Sequence, residues 1–269
     1  MIPFAYENDL VFSEAFTSPE SGSPSREIPR KVGDTPLIAD KLRIPDLKDM
    51  IDRPRLRDLL DKASERFVAN LISGRARTGK SMAAAQFARS YKKVAWLTLD
   101  TSDNIPDVFA RYFRACVTEA LGGKRSRRAS AEEWSEAPEQ ISAFLSDLFS
   151  QVNSRITKSP MLIVLDDVHH IFDAPWFADF FHILLYSLNP SIHLLLLCRG
   201  KPPLPLWRLR SKQLLNVIDE RVLAFDQAET EAVCKTVGCP PAKAIKVFGA
   251  SFGRAGKVAE IARTQASVS

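Results

Sequence analysis

Gly74-Arg75-Ala76-Arg77-Thr78-Gly79-Lys80-Ser81 has the residue types and spacing of a phosphate cradle. The pattern is G-x-x-x-x-G-K-[ST], and every fixed position is met. Its glycines let backbone N–H groups turn inward around a phosphate. A helix starting at the end of the loop adds the positive end of its dipole. Lys80 then reaches the outer phosphates of ATP or ADP, and the Ser81 hydroxyl is placed to ligate Mg2+. The expected nucleotide-binding set is Gly74, Arg75, Ala76, Arg77, Thr78, Gly79, Lys80, Ser81 and Met82. The bland alternative is a strand-to-helix turn with a surface lysine.

A second run, Met161-Leu162-Ile163-Val164-Leu165-Asp166-Asp167, follows about 85 residues after Ser81. Five apolar residues and then an acid describe a buried strand that delivers a carboxylate to the edge of a site. Asp166 is the candidate metal ligand, since Mg2+ takes few protein carboxylates and keeps several waters. Asp167 is the candidate catalytic acid, placed to orient or deprotonate an attacking water; its alternative is a loop or capping residue. A third run, IHLLLLCR, ends in Arg199. A guanidinium at the tip of a strand beside the acid strand is suited to sense a terminal phosphate; its alternative is a solvated strand-end arginine. Lys80, Asp167 and Arg199 form the expected catalytic set.

These residues need a sheet to converge, and the rest of the chain supplies one. Residues 67–73 (FVANLIS) read as the strand before the loop, and residues 81–91 (SMAAAQFARSY) as the helix after it. Strands are expected at 93–99, 161–165, 192–198 and 217–225. Helices are expected from Ile51 with Pro54 near the start, over 105–121, 139–156 and 176–188, and as two or three short pieces after Asp226. Apolar strands alternating with helices predict an α/β fold, a parallel sheet covered on both faces. Ligands bind at the carboxyl ends of such strands, where the loop and Asp166 fall. Residues 1–35, rich in Ser, Pro and Glu, are expected to be a flexible extension. Residues 36–226 then form the nucleotide core, and 227–269 a small helical segment. The basic cluster Lys124, Arg125, Arg127 and Arg128 lacks interleaved aromatics and reads as a solvated loop.

Composition narrows the setting. The 269 residues are 45% hydrophobic, enough for a full core, and the net charge of +5 needs no partner beyond nucleotide phosphates. Cys116, Cys198, Cys234 and Cys239 form no C-x-x-C pair and no zinc spacing, which suits a reducing cytoplasm. The start, MIPFAYENDL, lacks a basic n-region and an apolar core, and the apolar stretch 180–198 is broken by polar residues and Pro190. No signal peptide and no membrane span are expected. His169 and His170, directly after the acids, read as loop packing. Asp100 and Asp103 read as caps or as residues facing the site.

Several ordered segments together resemble the ATPase domains of the maltose-regulon activator and other large ATP-binding LuxR-type regulators, in the STAND class of signal-transduction NTPases. The segments are Lys41-Leu42-Arg43 with Ile51-Asp52-Arg53-Pro54-Arg55-Leu56, the loop at 74–81, and Val94-Ala95-Trp96-Leu97-Thr98-Leu99-Asp100 with Asp103-Asn104. Leu165-Asp166-Asp167-Val168-His169 follows, then Leu197-Cys198-Arg199 with Pro202-Pro203-Leu204-Pro205, Leu209-Arg210 and Gln213-Leu214. The resemblance covers roughly residues 37–226. It implies an ASCE/AAA-like P-loop NTPase in which ADP holds a closed form and ATP allows self-association. It also implies that Arg199 is the phosphate-sensing arginine and that Arg53 packs by the base. There are departures. Cys198 stands where the family often has Ser, no winged-helix histidine has a counterpart, and no DNA-reading motif is expected within these 269 residues.

The expected function is an ATP-binding regulatory switch with slow Mg-dependent hydrolysis, working through a protein partner or self-association. The alternatives are a non-hydrolysing interaction module that docks on a full-length regulator, and a P-loop kinase, for which no acceptor motif or Arg-rich lid is visible.

Overall fold

The computed structural model describes residues 36–48, 50–123, 137–156 and 159–267. The N-terminal extension at 1–35 and the basic cluster at 124–128 lie outside the described residues. Five strands appear in chain order: β1 (Ala69–Ser73), β2 (Lys93–Thr98), β3 (Met161–Asp166), β4 (Ile192–Cys198) and β5 (Leu215–Asp219). They form one sheet in the order β2-β3-β4-β1-β5, with every pair parallel. The acid strand β3 is therefore separated from the loop strand β1 by β4. That inserted strand is the ASCE arrangement of a P-loop NTPase.

Period-two alternation builds the layers. In β3, Met161, Ile163 and Leu165 pack on one face, and Leu162 and Val164 on the other. The first face is covered by α3 (Pro106–Ala120), α4 (Pro138–Asn153), α5 (Phe177–Ser187) and α6 (Leu204–Ser211). The second is covered by α1 (Pro54–Ser64) and α2 (Lys80–Ala88). Proline opens α1, α3 and α4 in the first turn, where its missing N–H costs no helical bond. Both faces of β3 and β4 are apolar because both are buried, so these strands read as continuous hydrophobic runs.

After the sheet come α7 (Gln227–Thr236), α8 (Ala244–Ser251) and α9 (Ala255–Ser267). They close on a small apolar cluster of their own, around Phe225, Cys234, Val247, Val258 and Ala262. Asp226 caps α7 reciprocally with Glu229. The last strand starts and ends two to six residues earlier than the pattern at 217–225 implied. Asp219 Oδ1 accepts the Arg221 N–H, and Val222 N–H turns back to the Asp219 carbonyl, which curls residues 220–223 into a turn.

Candidate functional site

The strands of the sheet stop at one edge. Ser73 at the end of β1 is in register with Cys198 and Asp219, and Thr98 with Asp166. Each strand therefore hands its next residue to the same rim.

The loop leaves β1 at Gly74. A Cβ there would stand 2.7 Å from the Glu220 Cβ, so the close approach of the β5 tip requires glycine. Glu220 accepts the Arg75 N–H at 2.9 Å and pairs with the Arg75 guanidinium. Thr78 Oγ1 donates to the Arg75 carbonyl at 2.9 Å and closes the turn. Ala76 and the Arg75 and Arg77 side chains lie at the exposed crest. Gly79 caps α2 at φ +90°, a left-handed conformation that glycine adopts without penalty. Lys80 is buried, and its ammonium donates to the carbonyls of Gly74 at 2.7 Å and Arg75 at 3.0 Å. Burial pulls the Lys80 ammonium below its usual range, and Asp167 and Asp166 pull it back. Met82 is half-buried in the first turn of α2.

The acid side meets this loop directly. Burial pushes the Asp166 carboxyl up, while the nearby Ser81 hydroxyl and the Asp167 N–H favour its charged form. The Asp167 N–H lies 2.8 Å from Asp166 Oδ1. Asp167 itself is left-handed, at φ +55°. Its carboxylate faces Arg199, with Nε to Oδ1 at 3.3 Å, and His169 Nδ1 at 3.7 Å. Burial and the neighbouring His170 ring push the His169 imidazole below its usual range, against the pull of Asp167. The structure thus brings Lys80, Ser81, Asp166, Asp167 and Arg199 to one rim. One hydroxyl, Ser81, and one carboxylate, Asp166, at the same rim beside a phosphate loop are a donor set that fits Mg2+.

Arg53 makes its contacts elsewhere. It is buried at the start of α1, bonds both oxygens of Glu229 and the Leu223 carbonyl, and stacks 4.3 Å over the Phe225 ring. It ties α1 to the helices after the sheet. Several residues at the rim carried no sequence signal. Glu220 braces the loop across the sheet. Gly256 approaches it from α9: its N–H donates to the Arg77 carbonyl at 2.9 Å, and a Cβ there would stand 2.8 Å from the Arg77 Cβ. Arg77 sits at φ +62° to present that carbonyl. Left-handed backbone costs a non-glycine residue about 1–2 kcal/mol. His169 belongs to the Asp167 surroundings, although adjacency to the acids alone suggested only packing.

No protein-family model matches the chain. It is 32% identical over 161 residues to the HTH-type transcriptional regulator MalT of Cronobacter sakazakii, a match covering 59% of this chain and 17% of that protein. The MalT of Yersinia enterocolitica is 30% identical over 163 residues, covering 60% and 17%. The chain therefore spans about 17% of the length of these curated relatives. A Walker-type ATPase of Pyrococcus abyssi shares 11% identity at a TM-score of 0.49, over 80% of this chain and 67% of that one. No helix among the described residues is long and apolar enough to cross a membrane. With a phosphate loop after β1, an acid after β3 and β4 inserted between them, the chain has the P-loop NTPase fold, and in sequence it is similar to MalT-type regulators.

Proposed function

We propose that this chain is a nucleotide-operated regulatory switch that binds ATP or ADP with Mg2+ and hydrolyses ATP slowly. The observation that carries this is the convergence of Lys80, Ser81, Asp166 and the Asp167–Arg199 contact on one strand edge. Lys80 binds the outer phosphates with charge-assisted hydrogen bonds. Ser81 and Asp166 would hold Mg2+, which when bound neutralises charge on those phosphates. Asp167 orients the attacking water and accepts its proton at a carboxylate oxygen. Arg199 answers charge on the terminal phosphate.

The similarity to MalT, named as an HTH-type transcriptional regulator, supports a regulatory rather than a metabolic use of this site. Under this proposal the nucleotide state governs self-association or docking to a protein partner in the cytoplasm, with residues 36–226 as the nucleotide core and 227–269 as a helical segment closing on it.

Calorimetry with ATP and MgCl2 tests the proposal. Lys80→Ala removes at least one charge-assisted contact, worth about 1.5–3 kcal/mol, so affinity is expected to fall roughly 10- to 100-fold. Equal affinity in wild type and variant rejects it.

A further inference from the structure

The segment Asp100-Thr101-Ser102-Asp103-Asn104 after β2 has no part in the nucleotide proposal, yet it is built with unusual care. Asp100 Oδ1 accepts the Ser102 N–H at 2.8 Å, and Asp103 Oδ2 accepts the Asp100 N–H at 2.7 Å. Asp103 is fully buried, and the buried Lys41 ammonium lies 2.6 Å from its Oδ2 and 4.4 Å over the Tyr112 ring. Two acids and a lysine therefore hold one short turn, Thr101–Asn104, in place.

The turn ends in Asn104, whose side chain leaves it. Its Nδ2 donates to the Thr101 carbonyl at 3.0 Å and to the His170 carbonyl at 2.9 Å. Its own carbonyl accepts from the Trp176 indole at 2.9 Å, and Trp176 is fully buried. His170 lies in the short turn Val168–Ile171 that follows Asp167. The His170 N–H donates back to the Asp167 carbonyl at 3.1 Å. Pairing between β2 and β3 runs to Thr98 and Asp166, followed by the bond from Leu99 N–H to the Asp166 carbonyl. Past that bond, Asn104 continues the connection between the two strand tips. Asp167 is thus held on one side by Asp166 and, through its turn, by Asn104 on the other.

We propose that Asn104 is a positioning residue for Asp167: by holding the His170 carbonyl it sets the direction in which the Asp167 carboxylate leaves β3. The inference rests on the role given to Asp167 above and extends it to a second strand. The chemistry demands an amide. Its NH2 group carries two donors, and two carbonyls receive them. An Asp side chain of the same shape turns an oxygen toward those carbonyls, and Ala offers nothing.

The test uses the 269-residue chain, N104A and the isosteric N104D. The ring resonances of the four histidines are assigned by NMR at one pH. The His169 and His170 rings lie tilted with centroids 4.3 Å apart, His169 beside Asp167, and report the turn. His193, bonded to Tyr91 at the opposite end of the sheet, is the internal control. In both variants the His169 and His170 resonances are expected to move while His193 stays. Turnover of ATP is expected to fall roughly 10- to 100-fold, with KM and ADP affinity within about twofold. Unmoved His169 and His170 resonances overturn the proposal. So does an affinity loss as large as the turnover loss, or a shift of His193 in both variants, which makes Asn104 merely structural. A wild type that neither binds nor turns over ATP defeats the nucleotide reading, while the histidine comparison still decides whether Asn104 sets the turn.

Discussion

Arg199 lies against Asp167, its Nε 3.3 Å from Oδ1 and its Nη2 3.4 Å from Oδ2. One group follows β4 and the other follows β3, so neighbouring strand tips are joined by a contact made outside the ladder. Both groups are partly exposed, so the contact contributes little to stability. Its interest is chemical: under the proposed function, a phosphate arriving at Arg199 competes with the carboxylate for the same guanidinium.

Substitution separates the two partners. Asp167→Asn is expected to retain ATP binding and to lower turnover by about 100-fold or more, the usual contribution of a positioned base. Arg199→Ala is expected to weaken ATP more than ADP, since the guanidinium is assigned to the terminal phosphate. Phosphate-release kinetics and parallel ATP and ADP titrations read both. Loss of ATP and ADP affinity in equal measure contradicts the role given to Arg199.

The Arg53–Glu229 pair gives a stability prediction with a pH signature. Burial pushes the Glu229 carboxyl up, but hydrogen bonds from Arg53, the Asp226 N–H and Arg55 more than offset it and leave the group below its ordinary value. A carboxyl held low in the folded state stabilises above its unfolded pKa, and that stabilisation is lost as pH falls through the folded pKa. Glu229→Gln leaves Arg53 buried without its counter-charge, at a cost of about 3–5 kcal/mol near neutral pH. In urea unfolding, the gap between wild type and variant is expected to narrow as the medium is acidified below the ordinary carboxylate range. A gap that does not change with pH contradicts the assignment.

Gly256 gives a third. A side chain there meets the Arg77 Cβ at 2.8 Å and the Arg77 carbonyl at 2.9 Å, and both neighbours belong to the loop. Gly256→Val is expected to push α9 off the loop. Hydrogen exchange should then rise at Gly256 and in the first turn of α9, with little change in β3 or β4. Exchange that stays at the wild-type rate rejects the contact.

Much of the fold was legible because its signals are local. The loop, its strand and its helix are consecutive residues, and MLIVLDD and IHLLLLC show two-sided burial on their face. Pro54 marks a helix start by chemistry that needs no partner. What escaped depends on pairs far apart in the chain. Arg75 finds Glu220 across 145 positions, and Asn104 finds the His170 carbonyl across 66. The resemblance implies that Arg53 packs by the base; the contact it makes in the fold, with Glu229, lies 176 positions on and has no local signal. The end of β5 escaped for a different reason. Asp219 and Glu220 interrupt an otherwise strand-like stretch, and the Asp219 side chain bonds its own backbone two residues later, which turns the chain.

The insertion of β4 between β1 and β3 makes the aperture of this site a property of the sheet. No ladder joins the loop strand to the acid strand, so their separation is about two inter-strand spacings, roughly 9–10 Å. Leu194, Leu195, Leu196 and Leu197 of β4 lie in that interval by their backbone, send their side chains alternately to the two faces, and are at most 1% exposed. The backbone of β4, laddered to β1 on one side and to β3 on the other, is the spacer that gauges the distance between the loop and the acid. The span between loop and acid is thus held by two hydrogen-bonded ladders rather than by any side chain at the rim.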